Sequence, residues 1–369
     1  MGTINQLKDI SKPEEKKKVS FSYHDQELYA FLSKAGTDID QIDRDGWTPM
    51  HRAIEINNIE IIKLLLFKSN GGNLNFENKY GSTPLTFAIV KGNLDIIELL
   101  VNNGADTNFV NKHGMTPLTK AINCGKKEFV KLLIENGADL NMLDPKGFTP
   151  LNKAIQLNKL DIAKFLIEKG ADLDLNDGND WSPLTLSIIS DMAEITKLLI
   201  EKGANINFPN GTNCTPLIQA INDDKQEIVK ILIEKGVDIN FVDNLNWTPL
   251  TKAINDDKTE IIDLLIASGA DLNICTSGGF SPLHKAVYKD NLDMVKLLVE
   301  NGASINTQDV CGGASLHYAV IGNRMKIITY LIENGADLKL KTKHFRNNSV
   351  EFALKRKTID IVKKRILWN

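Results

Sequence analysis

The chain repeats itself about every 33 residues, and a period of that length dictates a stack of similar units in place of one closed core. A Thr-Pro step, or a near variant of it, begins at Thr48, Thr83, Thr116, Thr149, Ser182, Thr215, Thr248, Ser281 and Ala314. The first spacing is 35 residues and the next seven are 33. A longer loop around Asn70-Gly71-Gly72 accounts for the 35. Glu27 to Asp43 matches the second half of a unit, and a degenerate copy starts at Asn348.

The residues within one unit predict two short helices. Thr116 is a good N-cap, and Pro117 suits the first helical position, where its missing N–H costs little. The first helix is expected over about 117–124, ended by Gly125 in a left-handed conformation. The equivalents of Gly125 are Asn57, Gly92, Asn158, Asp191, Asp224, Asp257, Asp290 and Asn323. All are Gly, Asn or Asp, the types that tolerate positive φ. The second helix is expected over about 128–135, with Phe129, Val130, Leu132, Leu133 and Ile134 giving it a broad apolar face. Gly137 terminates it. One such pair cannot bury both apolar faces alone, so neighbours must stack.

Gly114 to Asn141 reads GMTPLTKAINCGKKEFVKLLIENGADLN. This resembles the ankyrin repeat, whose hallmark is T-P-L-H-x-A and then a helix ending in G-A-D-h-N, with h apolar. The agreement extends from about Glu27 to the C-terminus. His51, His284 and His317 occupy the TPLH histidine position, while Thr86, Thr119, Thr185 and Thr251 replace it. The resemblance gives that His a local hydrogen bond, which a threonine hydroxyl should also supply. The implied fold is all-α: an ankyrin-repeat solenoid of stacked helix pairs with β-hairpin-like loops. The expected organisation is a flexible segment over 1–22 and a partial capping repeat over 23–45. Nine repeats then fill 46–338, starting near 46, 81, 114, 147, 180, 213, 246, 279 and 312. A basic, degenerate capping repeat over 339–369 closes the chain.

Composition narrows function. Lys plus Arg is 44 and Asp plus Glu is 47, a net charge of -3, which argues against nucleic acid as a partner. Within 339–369 ten Lys or Arg face only Glu351 and Asp360, which suits either a polar cap or a dock for an acidic surface. No apolar run approaches the ~20 residues of a membrane span. Met1 to Ser20 is polar, so no secretory signal is expected and an intracellular, cytoplasmic location is. The four cysteines, Cys124, Cys214, Cys275 and Cys311, are scattered and have no metal-ligand spacing. Nucleotide-loop, zinc-protease and nucleophile-elbow motifs are missing. We therefore expect no catalytic residues, no cofactor, no metal and no small-molecule substrate, and a monomer whose partner is another protein.

The candidate contact residues follow from register. Just before each Thr-Pro step stand Trp47, Ser82, Met115, Phe148, Trp181, Cys214, Trp247, Phe280 and Gly313. Three of the chain's four tryptophans fall at this one position. The resemblance places it at the base of the hairpin on the concave face, where partners are contacted. Packing of each ring on the neighbouring loop is the competing reading. The same face should carry Lys120, Lys153, Lys252 and Lys285 on the first helix, with Asp223, Asp256 and Tyr288 near its end and Tyr80 at a hairpin tip. The acidic pairs Asp223-Asp224 and Asp256-Asp257 read either as solvated turns or as contacts for a basic partner. Aromatics mixed with long cations fit an extended polypeptide. The abundance of Asn, Ile and Lys is also compatible with an effector-type regulator. An intracellular bacterium or parasite would deliver it into a host cell, without a classical signal peptide.

Overall fold

The computed structural model describes residues 41–44, 46–69, 74–244 and 246–343. The expected segment 1–22, most of the partial repeat 23–45 and nearly all of 339–369 lie outside the described residues. Eighteen helices run through the described residues in alternation. The first helices are Pro49–Glu55, Pro84–Lys91, Pro117–Cys124, Pro150–Gln156, Pro183–Ile189, Pro216–Asn222, Pro249–Asn255, Pro282–Tyr288 and Ser315–Ile321. The second helices are Ile59–Ser69, Leu94–Asn102, Lys127–Glu135, Leu160–Glu168, Ala193–Glu201, Gln226–Glu234, Thr259–Ala267, Leu292–Glu300 and Met325–Glu333. Among the described residues no strand forms. The loops are hairpin-like turns without a ladder, and one bridge pairs Gln308 with Ala314.

Local chemistry explains each boundary. The Thr116 hydroxyl accepts the Thr119 N–H at 3.1 Å, and Ser182 does the same for Thr185 at 3.2 Å. Ala314 has no hydroxyl, and there the His317 N–H turns to the Ala314 carbonyl at 2.9 Å while the His317 ring accepts the Ala314 N–H at 3.1 Å. Between the helices Gly125 (φ 69) and its equivalents, from Asn57 (φ 56) to Asn323 (φ 55), are all left-handed, as the sequence predicts. A Cβ on Gly137 (φ 84) would meet nothing within 4 Å, so backbone conformation alone selects glycine there.

The chain divides into two compact units, with the boundary between Leu166 and Ile167. In the first, Ala88, Ile89, Ile97, Leu100, Ala121, Ile122, Val130 and Leu133 are buried between successive helix pairs. In the second, Ala220, Ile221, Val229, Leu232, Ala253, Ile262 and Leu265 repeat the pattern. Burying each of these Ile, Leu or Val side chains contributes about 1.5–3 kcal/mol, which is why the periodic apolar positions carry the fold.

Candidate binding surface

Most loops are built on one short Asp or Asn side chain; the loop before Phe280 has Thr276 there and closes through backbone bonds. Asp144 Oδ1 accepts the N–H of Lys146 at 2.8 Å and of Phe148 at 3.0 Å. Asp177 holds Asn179 and Trp181 in the same way, at 2.8 and 3.0 Å. Asn210 holds Thr212 and Cys214, and Asp309 holds Cys311 and Gly313. Such Asx turns fix the residue four places on, which is the position that carries the Trp and Phe side chains.

Two further bonds lock one repeat to the next. His51 Nε2 lies 2.9 Å from the Ser82 carbonyl and His284 Nε2 lies 3.1 Å from that of Gly313. A carbonyl only accepts, so Nε2 of each ring carries a proton. At His284 the Ser281 N–H also donates to Nδ1 at 3.1 Å, which makes that ring neutral. Burial is the main cause that pushes His51 down to about 4, and it lowers His284 and His317 as well. The Asn of G-A-D-h-N is the second lock. Asn108 Oδ1 accepts the Asp139 N–H at 2.7 Å while its Nδ2 donates to the Gly137 carbonyl at 2.9 Å. Asn207, Asn240, Asn273 and Asn306 accept the corresponding N–H of the following repeat, each at 2.8 Å.

The candidate residues then differ in their surroundings. In the first unit the Trp47 ring meets Phe87 and Tyr80 edge-on, at 4.8 and 6.2 Å between centroids. Arg52 lies over it at 4.7 Å. Tyr80 is exposed, with Lys79 over its ring at 5.1 Å. Met115 and Lys120 are half-buried. Phe148 is only 5% exposed, and Lys153 Nζ sits 5.1 Å above its ring. In the second unit Lys285 Nζ covers Trp247 at 4.5 Å, and Phe280 packs on His284 and Tyr318. Lys252 pairs with Asp256 at 2.9 Å, and Gln219 donates to Asp223 at 2.8 Å. Tyr288 is 69% exposed, with Arg324 at 5.9 Å. The half-buried Trp181 has, among the described residues, no ring or cation partner.

The column of the candidate lysines stands nine places after the first polar residue of each loop: Arg52, Phe87, Lys120, Lys153, Leu186, Gln219, Lys252, Lys285 and Tyr318. Its contact with the loop side chain and ring escaped the sequence reading. The 33-residue register could have exposed it by aligning this column with the Asp column.

Among the described residues no group of three or more His, Cys, Asp or Glu is placed to hold a metal ion. Burial pushes the Cys214 thiol up to about 11, which keeps it protonated at neutral pH. No helix of the described residues is long and apolar enough to cross a membrane.

Family models for three-copy ankyrin repeats match residues 19–111, 92–177, 173–243 and 227–309, and a single ankyrin repeat matches 312–343. An ankyrin repeat protein of fowlpox virus (strain NVSL) is 46% identical over 52 residues, 14% of this chain and 36% of that protein. An ankyrin repeat protein of monkeypox virus is 38% identical over 61 residues, 16% of this chain and 10% of that one. The chain thus spans about a third of one relative and a tenth of the other. Period, helix pairs, caps, left-handed turns and family matches coincide over nearly all of the described residues: the chain belongs to the ankyrin repeat family.

Proposed function

We propose that this chain is a non-catalytic interaction scaffold that binds a partner polypeptide across its loops and first-helix faces. The observation that carries this reading is the set of half-buried rings, Trp47, Trp181, Trp247 and Phe280, each standing just before a capped helix. Flat, pre-positioned aromatics contribute much of the binding energy of interfaces at small entropic cost. Tyr80, Met115 and Lys120 in the first unit, and Asp223, Lys252, Asp256, Lys285 and Tyr288 in the second, are further proposed contact residues. Phe148 and Lys153 contribute through their mutual packing and expose less. Cytoplasmic location and a monomeric state fit this reading and remain part of the proposal.

The test is capture of partners from cells by the whole chain, repeated with Trp181→Ala and Trp247→Ala. We expect each substitution to weaken the captured partner about tenfold or more, with the melting temperature nearly unchanged. Unchanged affinity with both would remove the reading. The short likenesses to two viral ankyrin repeat proteins favour a second reading, a regulator that works on host proteins. They bear on neither a bacterial nor a parasitic origin, nor on delivery. Expression in candidate host cells, with wild-type chain against Trp181→Ala, checks whether any host response follows the binding surface.

A further inference from the structure

The loop carboxylates differ in what meets their second oxygen. Asp43 Oδ2 accepts from Arg52 Nε at 2.8 Å and lies 2.7 Å from its Nη2, while the same guanidinium lies 4.7 Å from the Trp47 ring centre. Asp309 Oδ2 accepts from the Tyr318 hydroxyl. Both donors stand nine residues after the carboxylate, on the first helix. Nine residues after Asp177 stands Leu186, which has nothing to donate. Asp177 is 5% exposed, and its Oδ2 is buried with no hydrogen-bond partner in the chain. A buried carboxylate oxygen in that state is unfavourable and calls for an explanation.

Trp181 is uncommitted in parallel. Trp47 has Arg52 on its ring and Trp247 has Lys285. The counterpart of Lys285 in the repeat after Trp181 is Gln219, whose amide is turned to Asp223. The loop of residues 172–180 holds Asp172, Asp174, Asp177 and Asp180 and no Lys or Arg.

We propose that Asp177 and Trp181 receive one arginine side chain of the partner polypeptide. Its guanidinium lies on the indole and donates to Asp177 Oδ2, as Arg52 does within the chain at Asp43 and Trp47. Arginine suits this place better than lysine, because its planar fork is weakly hydrated and stacks on rings. Oδ2 is covered in the free chain, so Leu186 or the indole moves aside as the arginine enters. The inference rests on the interaction-scaffold reading and names the chemistry of its partner.

The experiment uses the whole chain labelled with 5-fluorotryptophan, with the Trp181 resonance assigned through Trp181→Phe. N-acetyl-arginine amide is titrated in and compared with N-acetyl-lysine amide. The Trp181 resonance should move with the arginine probe and much less with the lysine probe, while Trp47 and Trp247, already covered, stay put. Leu186→Arg supplies the guanidinium from within and should abolish the response; Leu186→Met should keep it. Asp177→Asn should weaken it about tenfold or more. An unmoved Trp181, an equal response to lysine, or a full response in Leu186→Arg overturns the proposal. If Leu186→Arg does not fold, a wild-type response in Asp177→Asn overturns it equally. With a captured partner, weakening by Trp247→Ala but not by Leu186→Arg sinks this site and leaves the scaffold reading intact.

Discussion

The two compact units use charge in opposite places. The first buries an ion pair: Arg52 and Asp43 are 2.7 Å apart, with side chains 5% and 2% exposed. Its left-handed turns, Asn57, Gly92, Gly125 and Asn158, are uncharged. In the second unit the last turn, Asn323, is also uncharged, but the other four copies of that position are Asp191, Asp224, Asp257 and Asp290. Each is met by a cation of the following repeat: Lys225 at 3.0 Å, Lys258 at 3.2 Å, Lys289, and Arg324 at 3.8 Å. These pairs are largely exposed on the acidic side. A residue type needed for positive φ thus doubles as an electrostatic link between repeats. The acidic pairs of the sequence are thereby divided: the second Asp of each joins the ladder, while Asp223 and Asp256 stay on their own helix ends.

Burial decides which arrangement matters for stability. Arg52→Ala leaves the Asp43 carboxylate buried without that guanidinium, and we expect a loss of about 3–5 kcal/mol. Lys258→Ala removes a partner from an exposed carboxylate and should cost about 0.2–1 kcal/mol. Urea melts of the two variants measure the contrast directly. Equal losses would mean that the buried pair is not the stronger constraint and would remove the difference between the units.

Acid should act through the histidine locks. The free histidine titrates at 6.5, whereas His51 in the folded chain is pushed down to about 4, chiefly by burial. Between those values the unfolded chain binds more protons than the folded one. Stability is therefore level above about pH 6.5 and falls as pH drops toward 4, by at most about 3 kcal/mol for this group. His51→Thr copies the neighbouring repeat, where the Thr83 and Thr86 hydroxyls are 3.1 Å apart. It should cost about 1 kcal/mol at pH 7 through the lost bond to Ser82, yet flatten part of the acid dependence. Thermal melts from pH 7.5 to 4.5 decide; an unchanged slope would assign the dependence elsewhere.

Much of this was legible in the sequence, and the reason is locality. Thr116 and Pro117 fix a helix start between themselves, and Gly125 or Asp191 fixes a turn by its own backbone. The Asn of G-A-D-h-N stands by position in its own turn, yet Asn108 reaches across to Asp139 in the following repeat. The charge ladder was missed for the same reason. Its partners, such as Asp224 and Lys258, are 34 residues apart and meet only when repeats are aligned. Trp47, Trp181 and Trp247 looked equivalent because each precedes a Thr-Pro or Ser-Pro step. Their surroundings diverge at other columns, through Arg52, Leu186 and Lys285. The division between Leu166 and Ile167 left no mark, since the 33-residue period runs through it undisturbed.

The first unit offers a place to build the ladder that it lacks. Lys159 follows the left-handed Asn158, and its Nζ lies 3.0 Å from where a Cβ on Gly125 would be. A cation of the following repeat is thus already above the turn, with no carboxylate beneath it. Aspartate adopts this backbone at Asp224 (φ 57), so Gly125→Asp should be accommodated by a small shift of the lysine tip. The new pair would be exposed and would contribute about 0.2–1 kcal/mol. The left-handed strain of a side chain offsets part of that, so net stability should change little. Gly125→Asn carries the same backbone cost without the charge and serves as the reference. Relative to it, Gly125→Asp should be more stable at ~0.01 M salt and lose that margin at ~1 M, where the screening length falls from about 30 to 3 Å. A margin that ignores salt would show that the turn aspartates act through the backbone alone. The ladder of the second unit would then be a by-product of φ.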